Sequence, residues 1–166
     1  MDEELSVPEL AAAVRGAPQA GGWDQIFTVA VVDDDGFPHT CLLSRASLGV
    51  DGTTLRMVLT SASRTLAYLR RRPRATVAFI EGEISYACAC EVVAFHDGGH
   101  GLTGVATTIT KVRRDTLGIP LTGASFQVTD ALAAREAWER SAALLAEMAG
   151  PGPDGRAPAD GATAPG

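Results

Sequence analysis

Thr60-Ser61-Ala62-Ser63-Arg64-Thr65 is the stretch of this chain best equipped for chemistry. An apolar run, LRMVLT (55–60), leads into it, and Arg70-Arg71-Arg72 follows before Pro73. The pattern predicts a strand that turns directly into a short helix. The first N–H groups of a helix have no partner inside it, and the helix dipole places partial positive charge there. Ser and Thr hydroxyls add donors. The Arg64 guanidinium adds a planar, permanently charged fork that suits a phosphate. Together these are the parts of an anion site. The same residues also suit a plain helix cap, with Ser61 or Ser63 as the capping residue and Arg64 in solvent. The physics of the stretch leaves both readings open.

Other reactive side chains are sparse. Cys88 and Cys90 point to one side of a predicted strand and, with Cys41 or His96, would make a metal set. A Cys-x-Cys inside an apolar strand is more often two small core residues, so no metal is expected. His96 and His100 flank a turn, HDGGH, where solvent contact is the simple reading, and neither is expected to hold haem. The alternating run LTGVATTITKV (102–112) has a half-polar face, suited to solvent or to a ligand at a subunit interface.

The composition narrows the class. A chain of 166 residues, 46% hydrophobic and 20% charged, suits one soluble domain with one sizeable core. No apolar run is long enough to span a membrane, and the acidic start MDEELSVPEL lacks the apolar stretch of a secretory signal. Three cysteines argue against a disulfide framework and for a reducing, cytoplasmic setting. A net charge of −6 and a pI near 5.0 disfavour a nucleic-acid surface, so any phosphate recognition must be local.

Several elements must position these residues. LSVPELAAAVRG predicts a short helix capped by Ser6, with Glu9 completing a capping box. APQAGG (17–22) is a linker, so residues 1–22 form a helix and linker ahead of a domain at 23–150. Strands are expected at 26–32, 39–48, 55–60, 75–80, 84–97 and 102–112, with a further possible strand at FQVT. DDDGFP (33–38) and VDGTT make turns. A helix over 63–72 follows the hydroxyl cluster, and a second one starts after Asp130, with Trp138, Ala142 and Leu145 on one face. Residues 151–166, all Pro, Gly, Ala and polar, are expected to be a disordered tail. Six or so short strands with tight turns suggest an antiparallel barrel with peripheral helices.

The span TVAVVDDDGFPHTCLLSRASLGVDGTTLRMVLTSASRTLAYLRRRPRATVAFI resembles the pyridoxamine 5′-phosphate oxidase-like superfamily of FMN-binding split barrels. The shared order is strand, D-G-x-P turn, strand, strand, T-x-x-S-R/K, short helix, Pro, strand. The resemblance covers residues 26–80 well and the later hairpin loosely. It implies a mainly β, split antiparallel barrel, and it favours the anion-site reading. Thr60, Ser63 and Arg64 fall on the family's phosphate positions, beside Ser61. Thr65 falls where many members place a second cation, a departure that weakens the site or hands that charge to Arg45 or Arg70. His39, Thr40, Cys41, Leu42, Ser44 and Arg45 fall on the strand that lies along the flavin ring. There alternate backbone groups reach the ring's polar edge and side chains such as Leu42 pack toward the core. Members of the family build each flavin site from two chains, which implies a homodimer, with the 84–112 hairpin as an interface element. The basic C-terminal segment of true pyridoxamine phosphate oxidases is missing, so vitamin B6 oxidation is not expected. The resemblance thus implies an FMN-dependent oxidoreductase acting on a small molecule. The alternatives are an F420-dependent reductase on the same barrel and a non-catalytic flavin or haem carrier.

Overall fold

The computed structural model describes residues 5–136 and 138–150. The tail expected to be disordered, 151–166, lies outside the described residues. Seven antiparallel strands form one sheet: β2 (Phe27–Val32), β3 (Pro38–Leu43), β4 (Leu48–Asp51), β5 (Thr54–Thr60), β6 (Arg74–Glu81), β7 (Ile84–Gly99) and β8 (Leu102–Thr116). Their spatial order is β3-β2-β6-β7-β8-β5-β4. A separate two-stranded ribbon pairs β1 (Trp23–Gln25) with β9 (Ser125–Gln127). The helices are α1 (Pro8–Ala13), α2 (Arg64–Arg71), α3 (Asp130–Arg135) and α4 (Trp138–Ala149).

Strand alternation builds the core. Phe27, Val29 and Val31 of β2 point inward, as do Leu55, Met57 and Leu59 of β5 and Val77 and Phe79 of β6. Phe27 and Phe79 approach at 6.0 Å, and Phe79 stacks on Tyr86 at 4.6 Å. Helix α2 packs on β2, β3 and β5. It buries Thr65, Leu66 and Leu69, and so fills the split between β3 and β5, which do not pair with each other. Cys88 and Cys90 are core residues, 0% and 2% exposed.

Several expectations need correction. The returning strand does not run over 39–48: β3 ends at Leu43, and Arg45–Ser47 form a 3-10 turn before β4. Ser6 does not cap α1; Val7 precedes the helix with no side-chain cap, and Pro8 opens it. The C-terminal helix is two helices, α3 and α4, and Thr129 rather than Asp130 caps the first by accepting from Leu132 N–H at 3.1 Å. Leu42 does not face the core. Period-two alternation puts Cys41 and Leu43 inward and leaves Leu42 63% exposed. The half-polar run of β8 is divided: Thr110 and Lys111 are exposed, whereas two threonines turn inward. Thr103 and Thr107 are buried because their hydroxyls find partners, Thr107 donating to the Leu55 carbonyl at 2.8 Å.

Helix α4 lies on the outer face of β5 and β8. Gly98 and Gly104 make room for it, since a Cβ at either would collide with Leu144 or Met148. Among the described residues no helix covers the outer face of β3, β2, β6 and β7. Its register aligns Leu42 with Thr28, Thr28 with Ala78 and Ala78 with Ala87.

Candidate functional site

The joint between β5 and α2 takes the form its residues dictate. Thr60 ends β5, and Ser63 adopts extended backbone and caps α2 through its hydroxyl, which accepts from Leu66 N–H at 3.2 Å. The cap reading therefore holds for Ser63. Ser63 is the cap, but among the described residues nothing accepts from the Arg64 or Thr65 N–H. Arg64 itself is exposed and forms no ion pair there. Ser61 is fastened to the β7–β8 hairpin: its N–H donates to the Gly101 carbonyl at 2.8 Å, and its hydroxyl meets that of Thr103 at 2.8 Å.

A groove of about 770 Å³ opens beside this joint. That size suits a cofactor or small molecule. One wall is β3 and the residues after it, Cys41, Leu42 and Ser44. The floor and the end beside the joint are Val58, Thr60, Ser63 and Thr65, with His100 from the hairpin tip. The last wall comes from the C-terminal segment: Phe126, Leu132, Arg135, Glu136 and Trp138. Sequence reasoning missed this third wall entirely. An amphipathic helix signals burial but not what it covers. It also read His100 as merely solvated; the side chain is exposed, yet on the groove.

The expected site residues divide accordingly. Cys41, Leu42, Ser44, Thr60, Ser63 and Thr65 line the groove, whereas His39, Thr40, Arg45, Ser61 and Arg64 do not. His39 sits edge-on to Tyr68 at 5.2 Å. Thr40 is exposed on the outer face of β3. Arg45 is committed elsewhere. Its Nη2 and Nε lie 2.6 and 2.8 Å from Asp24 Oδ1, and Nη1 donates to the Arg15 carbonyl at 3.1 Å. Arg70 lies over the Phe95 ring, 4.5 Å from its centre, and does not line the groove either. Neither arginine replaces the cation that Thr65 lacks. Thr65 is only 2% exposed, because it faces inward at the start of α2.

Burial raises the Cys41 thiol above its ordinary value, and the adjacent Thr65 hydroxyl offsets part of that. Burial pushes Cys88 up to about 11 and Cys90 to about 12. No three His, Cys, Asp or Glu side chains converge among the described residues. The thiolate is the reactive form, so these thiols should be inert near neutrality. Native protein treated with a thiol-specific disulfide reagent at pH 8 should release less than one equivalent quickly, from Cys41, and three only after denaturation. Fast release of three equivalents would show that the barrel opens at Cys88 and Cys90.

No family model and no curated protein matches the chain. Solved structures do. An FMN-binding protein of Syntrophomonas wolfei is similar over 70% of this chain and 90% of its own, with a TM-score of 0.53 at 14% identity. A Lactobacillus delbrueckii protein named after pyridoxamine 5′-phosphate oxidase is similar over 66% and 94%, with a TM-score of 0.52 at 13% identity. The flavin reductase of the Pseudomonas putida styrene monooxygenase is similar over 73% and 92%, with a TM-score of 0.50 at 14% identity. The chain shares the fold of these structures, a split antiparallel β-barrel, as the order of its strands implies.

Proposed function

We propose that the chain binds FMN in this groove and acts as an FMN-dependent oxidoreductase of the pyridoxamine 5′-phosphate oxidase-like type on a small molecule. The observation that carries this reading is the joint itself. A helix start with two free N–H groups and the Thr60 and Ser63 hydroxyls opens onto a cofactor-sized groove in an acidic protein. Those donors fit a terminal phosphate. The groups along the rest of the groove fit a planar ring. β3 pairs only with β2, so its other edge offers unpaired backbone N–H and C=O groups, and Phe126 and Trp138 supply aromatic surface opposite. When bound, the flavin supplies the redox chemistry. The protein's part is to hold the phosphate, orient the ring and keep water from its face.

A homodimer is part of the same proposal. The uncovered outer face of β3, β2, β6 and β7 supports it, with Ala87 and Ala89 of the long hairpin on that face and Leu42 exposed at its edge. The setting proposed is the cytoplasm. Among the described residues no helix is long and apolar enough to cross a membrane.

The visible spectrum of the purified protein, followed by native mass measurement, tests the reading. Flavin bands are expected, with FMN released and a particle of twice the 17.2 kDa chain mass. FMN should bind more tightly than FAD or riboflavin, and should quench the emission of Trp138 more than that of the exposed Trp23. A colourless protein that takes up F420 would overturn the cofactor. Equal affinity for FMN and riboflavin would overturn the phosphate end.

A further inference from the structure

The anion end of the groove is short of positive charge on its own wall. Thr65 stands where a second cation was expected, Arg45 is held by Asp24, and Arg64 is exposed outside the lining. Among the described residues that line the groove, only His100 and Arg135 can carry positive charge. Arg135 belongs to the opposite wall, on α3, where it pairs with Glu136 at 3.3 Å. His100 belongs to the anion end.

Its place there is enforced by the backbone. His100 and Gly101 are the two residues of the β7–β8 hairpin turn, with φ of 50° and 76°. Two successive positive φ values are what a tight hairpin requires, and His is among the side chains that tolerate them. The turn is then bolted to the joint by the Ser61 N–H bond to Gly101 and the Ser61–Thr103 hydroxyl pair. Thr60, Ser63 and His100 therefore share one end of the groove without any side chain having to reach across it.

We propose that His100 is a phosphate contact of this groove. Its imidazole donates to the phosphate monoester held at Thr60 and Ser63. The inference rests on the reading of the groove as a flavin phosphate site, and it adds a contact from the hairpin tip that this reading does not contain. An imidazole N–H is a hydrogen-bond donor, and a phosphate monoester offers it a doubly or nearly doubly charged acceptor. The other charged or titratable groups near this end are few. His96 and Asp97 lie on the same hairpin, where Asp97 Oδ1 accepts from Gly99 N–H at 2.9 Å. Arg64 stands at the start of α2, Arg135 and Glu136 lie across the groove, and the Cys41 thiol, raised by burial, stays neutral.

The test is binding of FMN and riboflavin to the full chain and to His100→Ala and His100→Asn, followed by Trp138 quenching. Asn keeps the left-handed turn but loses the imidazole donor at its place. An exposed polar contact contributes modestly, so either substitution should weaken FMN about three- to ten-fold. Riboflavin should bind alike to all three proteins. Equal loss of FMN and riboflavin would make His100 a turn residue and overturn the contact. No loss of FMN, with FMN still preferred over riboflavin, would overturn the contact and leave the flavin reading standing. Failure of the wild-type chain to bind either flavin would remove both.

Discussion

Arg64→Ala should weaken FMN binding about ten-fold to a hundred-fold while riboflavin binding stays nearly constant. The arginine is the first residue of α2, exposed and without an ionic partner among the described residues, so its guanidinium is free to close over a phosphate at the joint. A charge-assisted hydrogen bond of that kind contributes roughly 1.5–3 kcal/mol. Folding should survive, because the helix keeps its Ser63 cap and its buried Leu66 and Leu69. Arg71→Ala is the control. Its side chain pairs with the exposed Asp34 at 2.9 Å and lies over Tyr68, and its loss should cost FMN little. Titration calorimetry with both flavins decides the matter. Equal loss of FMN in the two mutants would reduce the basic helix to a solvated face. Equal loss of FMN and riboflavin in Arg64→Ala would make the arginine structural.

Asp24→Ala should lower stability by about 2–3 kcal/mol, because it strands a half-buried guanidinium that Asp24 now pairs. Asp24 is 6% exposed and Arg45 28%, so the pair is only partly screened by water. For a domain of this size the melting temperature should fall by about 5–10 °C. The contact joins three segments: the chain leaving α1 through the Arg15 carbonyl, strand β1, and the 3-10 turn that carries Ser44 and Ser47 to the groove. One oxygen of Asp24, Oδ2, is buried with no hydrogen-bond partner among the described residues, so the pair has a desolvation cost that is not fully offset. The double mutant Asp24→Leu/Arg45→Met should therefore regain most of the lost stability. Thermal melts of the three variants measure this. A wild-type melting temperature for Asp24→Ala would show the pair to be energetically idle. Arg45→Met should also leave the FMN-to-riboflavin preference intact, and a selective loss of FMN would return Arg45 to the phosphate.

Much of this was legible in local pattern. Strand β5, the Ser63 cap and helix α2 follow from an apolar run, a hydroxyl residue in extended backbone and apolar residues at helical spacing, all signals confined to about fifteen residues. The burial of Cys88 and Cys90 follows from their places in an apolar strand. The β3 boundary was less legible, because LSRASL keeps an apolar content that suits a strand. The backbone instead turns at Arg45, whose side chain is drawn to an aspartate 21 residues earlier. Leu42 was misread for a related reason: alternation shows that neighbours face opposite ways, but not which way is in.

The sequence by itself determined the elements and the donors at the β5–α2 joint, because a helix start and its hydroxyls are set by residues adjacent in the chain. Only the tertiary structure decided what those donors face. Pairing of β5 with β8 brings the hairpin tip and His100 to the joint, and packing of α4 over Gly104 brings Trp138 to the far wall. Asp24 holds the Arg45 side chain in an ion pair away from the groove lining. Each of these partners lies about 20 or more residues away in the chain, beyond the reach of any local pattern, and each was settled by which faces had to be buried together.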